Sequence, residues 1–126
     1  MDKLFENLKI IDLSTVLAGP SVATFFAELG AEVLKIESPG AGDVTRSWKL
    51  PSEDPHNNVS AYFSSVNYKK KHLTLNLNTP EGHSILMQHV GDADILISNF
   101  KKGDATKLND FDKFALTVSL RTDELK

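Results

Sequence analysis

The stretch DLSTVLAGPSVATFFAELGAEVLKIESPG, residues 12–40, has the layout of a strand, a helix and a second strand. Around its start, LKIIDLS (Leu8–Ser14) is a short run rich in Ile and Leu, the pattern of a buried strand. Gly19 and Pro20 punctuate it, and Pro20 suits the first turn of a helix, where its missing N–H costs nothing. Val22, Phe25, Phe26 and Leu29 then recur at i, i+3, i+4 and i+7, which predicts one apolar helix face. Gly30 is the expected stop, and AEVLKIE (Ala31–Glu37) reads as the second strand. Together these pieces occupy about 30 residues, the size of a parallel βαβ unit. Nucleotide-binding units of this kind carry G-x-G-x-x-G at their first turn. Here that turn reads STVLAGP, so what it is built to hold becomes the central question.

Downstream, Pro39, Gly40, Gly42, Pro51 and Pro55 interrupt every pattern, predicting a long functional loop over residues 38–60. SAYFSSVN reads as a short helical turn. HLTLNLN alternates, with Leu73, Leu75 and Leu77 on one face of a strand. TPEGHSILMQHV begins with Thr79 as N-cap and Pro80 as first helical residue. ADILIS is another buried strand, and NFKKGDATKLN a turn into a short helix; one more strand is placed at Ala115–Leu120. Strands alternating with helices predict an α/β fold, a Rossmann-like, mostly parallel sheet with flanking helices.

A chain of 126 residues fits one domain and buries a core without covalent staples. Its 40% hydrophobic and 25% charged residues suit a folded protein rather than a disordered one. A net charge of −3 argues against nucleic acid or an anionic membrane as the main partner. The absence of cysteine removes disulfides, thiolate metal sites and a cysteine nucleophile. No signal peptide or membrane span is evident, so a cytoplasmic location is expected.

In a parallel α/β sheet, ligands bind outside the carboxyl ends of the strands. Three glycine-containing turns fall there: STVLAGP, SPGAGDVTR and NFKKGD. They read equally well as tight turns or as places where a ligand approaches backbone N–H groups. Gly40-Ala41-Gly42 is a lone G-x-G whose third glycine would fall at Thr45, weak evidence for a dinucleotide. Glu37 is open to two roles, a ribose acceptor or the partner of a nearby Lys or Arg. YKKKH (Tyr68–His72) and the group Lys101, Lys102 and Lys107 are basic clusters, each a solvated face by default but together suggestive of phosphate neutralisation. His56, His72, His83 and His89 lack metal-ligand spacing, so no metal is expected. No G-x-S-x-G elbow accompanies Ser14, Ser21 or Ser98.

These segments, in this order, resemble family III CoA-transferases of the CaiB/BaiF type, the group that includes formyl-CoA transferases and α-methylacyl-CoA racemases. The resemblance runs from Leu8 to Leu108 through IIDLSTVLAGPSVATFFAELGAEVLKIESPGAGDVTRSW, AYFSSVNYKKKHLTLNLNTPEG and DADILISNFKKGDATKL. It implies that the first turn holds coenzyme A, which needs no G-x-G-x-x-G. By position, Val16, Leu17 and Ala18 would line the CoA and acyl end, Ser38 and Pro39 the adenine, and Leu75 and Asn78 the nucleotide. Asn99 and Phe100 would face the pantetheine–nucleotide side, with Lys102 and Lys107 meeting phosphates. Two departures stand out: Leu17 replaces a polar residue common in the formyl-CoA group, which argues against oxalate chemistry, and Ser38 replaces an adenine-stacking basic residue.

The family's nucleophilic aspartate lies further along than this chain reaches, so no catalytic residue is assigned here. Asp43, Asp104, Asp110 and Asp112 are given a turn hydrogen bond, a helix cap and tail charges instead. Residues 1–108 are therefore read as the N-terminal CoA-binding portion, incomplete relative to the family fold, with 109–126 a divergent, foreign or frameshifted tail. The resemblance implies a CoA thioester and a small carboxylic acid as substrates, and a homodimer for the full-length family. Alternatives are an inactive CoA- or nucleotide-binding fragment, a nicotinamide-binding Rossmann protein and an acyl-CoA racemase.

Overall fold

The computed structural model describes residues 3–99 and the strand Thr117–Ser119. Five strands, β1 (Lys9–Asp12), β2 (Glu32–Glu37), β3 (Lys71–Thr74), β4 (Ile95–Ser98) and β5 (Thr117–Ser119), form one sheet in the order β3-β2-β1-β4-β5. Every pairing is parallel, as the alternation of strands and helices implies. Helices α1 (Ala18–Glu28) and α3 (Pro80–Asp92) each connect two of these strands, and a short α2 (Ala61–Val66) follows the long loop.

Side chains alternate across the sheet and make two cores. Ile11, Leu13, Ile36, Leu75 and Leu96 pack with Leu86 and Val90 of α3. On the opposite face, Ile10, Val33 and Ile97 pack with Ala23 and Ala27 of α1. The apolar face expected of α1 is therefore rotated: its buried residues are Gly19, Pro20, Ala23, Thr24 and Ala27, while Phe25 is 55% exposed. The helix lies so close to the sheet that only small side chains fit between them. Phe26 turns aside onto Phe5, with ring centroids 5.2 Å apart.

The third strand also differs from its reading. Ladder pairing reaches Leu75, whose N–H donates to the Glu37 carbonyl at 3.0 Å. The chain then turns at Asn76, whose carbonyl accepts from Thr79 N–H and Thr79 Oγ1. Leu77 thus leaves the strand, yet with Leu73 and Leu75 it still packs on the α3 side. Thr79 caps α3 by accepting from Gly82 N–H at 3.1 Å, directly before Pro80, and Gly30 ends α1 with φ 102°. The helix expected within residues 99–109 lies outside the described residues. Among the described residues, no helix is long and apolar enough to cross a membrane.

Gly19 marks the tightest contact between α1 and the sheet. A Cβ there would collide with the Ser14 side chain, which is fully buried and bonded to Asp12, so it has nowhere to move. Gly19→Ala is expected to destabilise the fold by about 1–3 kcal/mol, read as a lower urea midpoint at unchanged slope.

Candidate functional site

The α1-side face of the sheet changes character along the strands. Ile10 and Val33 belong to the apolar core, but the next residues on that face are Asp12 and Lys35, which are register partners with 0% exposure. His72 continues this row on β3, and Glu37 ends the same face of β2. Burying such charges requires partners. Asp12 accepts from Ser14 N–H at 2.9 Å, from Ser14 Oγ, and from Lys70 Nζ at 2.8 Å. Lys70 also donates to the carbonyls of Pro20 and Val66 and to Asn67 Oδ1. Lys35 Nζ donates to the Ser14 carbonyl at 2.8 Å and lies 3.0 Å from Asp43 Oδ2.

Burial pushes the Lys70 ammonium below its usual range, with Asp12 opposing the shift. Burial raises the Asp43 carboxyl, but the N–H and hydroxyl of Thr45 and the charge of Lys35 outweigh it and hold that carboxyl low. Asp43 thereby caps the 3-10 turn Val44–Ser47, a turn hydrogen bond as expected. Arg46, from that turn, grips both oxygens of Glu37 at 2.8 and 2.7 Å and lies 3.8 Å over the Phe63 ring. Burial alone would raise Glu37, yet hydrogen bonds from Arg46, Asp43 N–H and His72 bring it from 4.5 to about 2. Of its two possible roles, Glu37 takes the arginine.

The expected site residues divide accordingly. Val16, Leu17 and Ala18 form the first turn, where Val16 has φ 73°, a left-handed conformation that β-branched residues rarely adopt. Leu17 is 50% exposed at the start of α1, and its side chain makes no capping hydrogen bond. Ser38 and Pro39 are exposed directly after β2, and Asn78 is exposed in the turn after β3. Leu75 differs, because its side chain belongs to the core beneath that turn. Asn99 Oδ1 accepts from Thr15 N–H at 3.0 Å and its Nδ2 donates to the Thr15 carbonyl at 2.7 Å. Phe100, Lys102 and Lys107 lie outside the described residues.

A cavity of about 100 Å³ joins the first two turns, lined by Leu13, Thr15, Ser38, Gly42 and Leu77 among others. Beside it opens a cleft of about 650 Å³ between Ser38, Gly40, Arg46, Lys49, Asn58 and Thr74. Among the described residues, the turns after β1 and β2 therefore share one region, which the end of β3 and the turn after it also border. The YKKKH cluster does not present one basic patch: Lys70 is buried, Lys71 pairs with Glu32 at 3.1 Å, and His72 Nδ1 is 3.2 Å from Glu37. Lys35 and Lys70 were missed as site-building residues. The available signal was a lysine sharing a strand face with Val33. Among the described residues, no group of three or more His, Asp or Glu is placed to hold a metal.

Removing one member of a buried pair strands the other. Lys70→Met should cost about 3–5 kcal/mol in urea unfolding, and the double variant Asp12→Asn/Lys70→Met should recover part of that loss. Because folding depresses Glu37, its stabilising share is complete above pH 4.5 and fades as pH falls towards 2. The wild-type chain should therefore lose on the order of 2–3 kcal/mol of stability across that window that Glu37→Gln does not lose, measured as urea midpoints against pH.

The sequence profile described as CoA-transferase family III matches residues 5–113. An acyl-CoA transferase of Fusarium pseudograminearum is 42% identical over 107 residues, covering 81% of this chain and 24% of its own length. The succinyl-CoA:glutarate CoA-transferase of Mus musculus is 40% identical over 117 residues, 90% of this chain and 26% of that protein. A formyl-CoA:oxalate CoA-transferase of Bradyrhizobium is 36% identical, over 82% and 24% respectively. Among crystal structures, a CaiB/BaiF family protein from Brucella suis superposes with a TM-score of 0.74 at 35% identity, covering 86% of this chain and 29% of that one. The chain spans about a quarter of the length of the curated relatives it matches. With this fold, these strand-end turns and this match along most of its length, the chain belongs to CoA-transferase family III.

Proposed function

We propose that residues 1–108 supply the coenzyme A-binding part of a CoA-transferase that moves CoA between an acyl-CoA thioester and a carboxylic acid. The observation that carries this reading is the family match over most of the chain, coupled to a small cavity shared by the turns after β1 and β2 and a cleft beside the turn after β2, at the carboxyl ends of parallel strands. In this reading, Val16, Leu17 and Ala18 meet the CoA thiol and acyl end. Ser38, Pro39, Leu75 and Asn78 border the nucleotide, Leu75 through its backbone since its side chain is in the core. Phe100, Lys102 and Lys107 complete the pantetheine and phosphate side.

The chemistry proposed for the whole enzyme is carboxylate nucleophilic catalysis through an aspartyl-CoA thioester. Asp12 and Asp43 do not suit that role, since both are fully buried in ion pairs. By resemblance to the family, the nucleophile is proposed to lie outside the quarter that this chain shares with its relatives, and the segment's part is to position CoA. Leu17, apolar and half exposed at the acyl end, favours an acyl group other than oxalyl. The enzyme is proposed to work as a cytoplasmic homodimer.

Calorimetric titration of the purified chain with CoA, using NAD and ATP as controls, tests the reading. Saturable CoA binding that neither control reproduces is the expected result. Binding of NAD in preference to CoA, or of neither, would overturn it. Turnover by the 126-residue chain alone would overturn the division of labour between binding and chemistry.

A further inference from the structure

We propose that Asn99 is a positioning residue: its side-chain amide fixes the shape of the first turn, instead of touching the ligand. This deepens the CoA-binding reading, on which it rests for the identity of what the turn holds. The geometry itself does not depend on that reading.

The β1–β4 ladder extends beyond the strands through Leu13 N–H to the Ile97 carbonyl at 2.8 Å. Rungs of a parallel ladder repeat every two residues, so the next would join Thr15 N–H to the main-chain carbonyl of residue 99. Here the side chain of Asn99 takes that place, with Oδ1 accepting from Thr15 N–H and Nδ2 donating to the Thr15 carbonyl. A carboxamide presents the donor and acceptor of a peptide group, and both contacts fix which end is which. Aspartate would lack the donor, and glutamine would reach one methylene too far.

The opposite side of the turn is held as well, because Lys35 Nζ donates to the Ser14 carbonyl. Val16 follows directly with φ 73°. A β-branched residue stays in that region only where its surroundings over-determine it. The peptides of Ser14 and Thr15 are the ones pinned, by Lys35 and Asn99. Loss of the Asn99 contacts would let Val16 relax to negative φ. A site populated for only a fraction of the time binds more weakly by that same fraction.

The test is a double-mutant cycle between Asn99→Ala and Val16→Gly, with CoA affinity measured on the full chain. Glycine adopts positive φ without a steric penalty, so it removes the need for the clamp. N99A is expected to weaken CoA binding about tenfold in the wild-type background, the equivalent of two neutral hydrogen bonds, and by less than about threefold in the V16G background. An equal loss in both backgrounds would mean that Asn99 touches the ligand itself, and no loss in either would mean that the clamp is idle; both overturn the inference. The free chain gives a second readout by NMR, the strong intraresidue amide–Hα NOE of a positive-φ residue at Val16. Its disappearance in N99A supports the clamp, and its persistence refutes it. That arm holds even if the wild type binds no CoA, an outcome that would sink the functional reading alone. Should N99A fail to fold, Asn99→Asp, which keeps the acceptor and loses the donor, carries both measurements.

Discussion

Two buried ion pairs, Asp12–Lys70 and Lys35–Asp43, hold together what the hydrophobic core alone would leave loose. Each side chain has 0% exposure, so each ion has lost its water, and only a close partner of opposite charge offsets that cost. Those partners come from different parts of the chain: Asp12 and Lys70 are 58 positions apart, and Lys70 also gathers the carbonyls of Pro20 and Val66. Partial assembly would leave bare charges in an apolar setting. The network therefore favours an all-or-none arrangement of β1, the first turn, the loop of residues 38–60 and the end of α2.

That arrangement constrains what the cleft offers an anionic ligand. Lys35 and Lys70 are spent inside the fold, Arg46 is committed to Glu37, and Lys49 Nζ is bound to the carbonyls of Asp54 and Asn57. None of these four cations is free to meet a phosphate without breaking an existing contact. The basic character of YKKKH is structural in its middle residue and solvated at its edges, where Lys71 is 70% exposed.

Much of the scaffold is legible in the sequence because its signals are local. The apolar runs at 8–14 and 31–37, the Thr79-Pro80 start and the Gly30 stop each act through neighbouring residues, and the structure uses all of them. What escapes a local reading is set by distance across the fold. The periodic Phe25 and Phe26 outweigh alanines in any count of hydrophobicity, yet Ala23 and Ala27 face the sheet, because close approach selects for small size rather than apolar bulk. Lys35 and Lys70 look like surface lysines until their acids arrive from residues 43 and 12. Glu37 could be read either way for the same reason, and the position of Arg46 decides between them.

The missing dinucleotide fingerprint can now be understood residue by residue. In a G-x-G-x-x-G turn, glycines supply a tight bend, close backbone approach to the ligand, and close packing of helix on strand. Here the packing function survives in Gly19, which stands against Ser14 where no Cβ fits. The bend is made by Val16 at positive φ, a residue that needs the pinned peptides of Ser14 and Thr15 around it, where glycine would need none. A turn made this way is stiffer than a glycine turn and keeps side chains at positions 16 to 18. Side chains there narrow the approach to the backbone that a pyrophosphate needs, and they furnish an apolar wall suited to a thioester and its acyl group. Under the CoA reading, the same topological position would serve a different part of a nucleotide-containing ligand, and the change would follow from which residue carries the left-handed conformation.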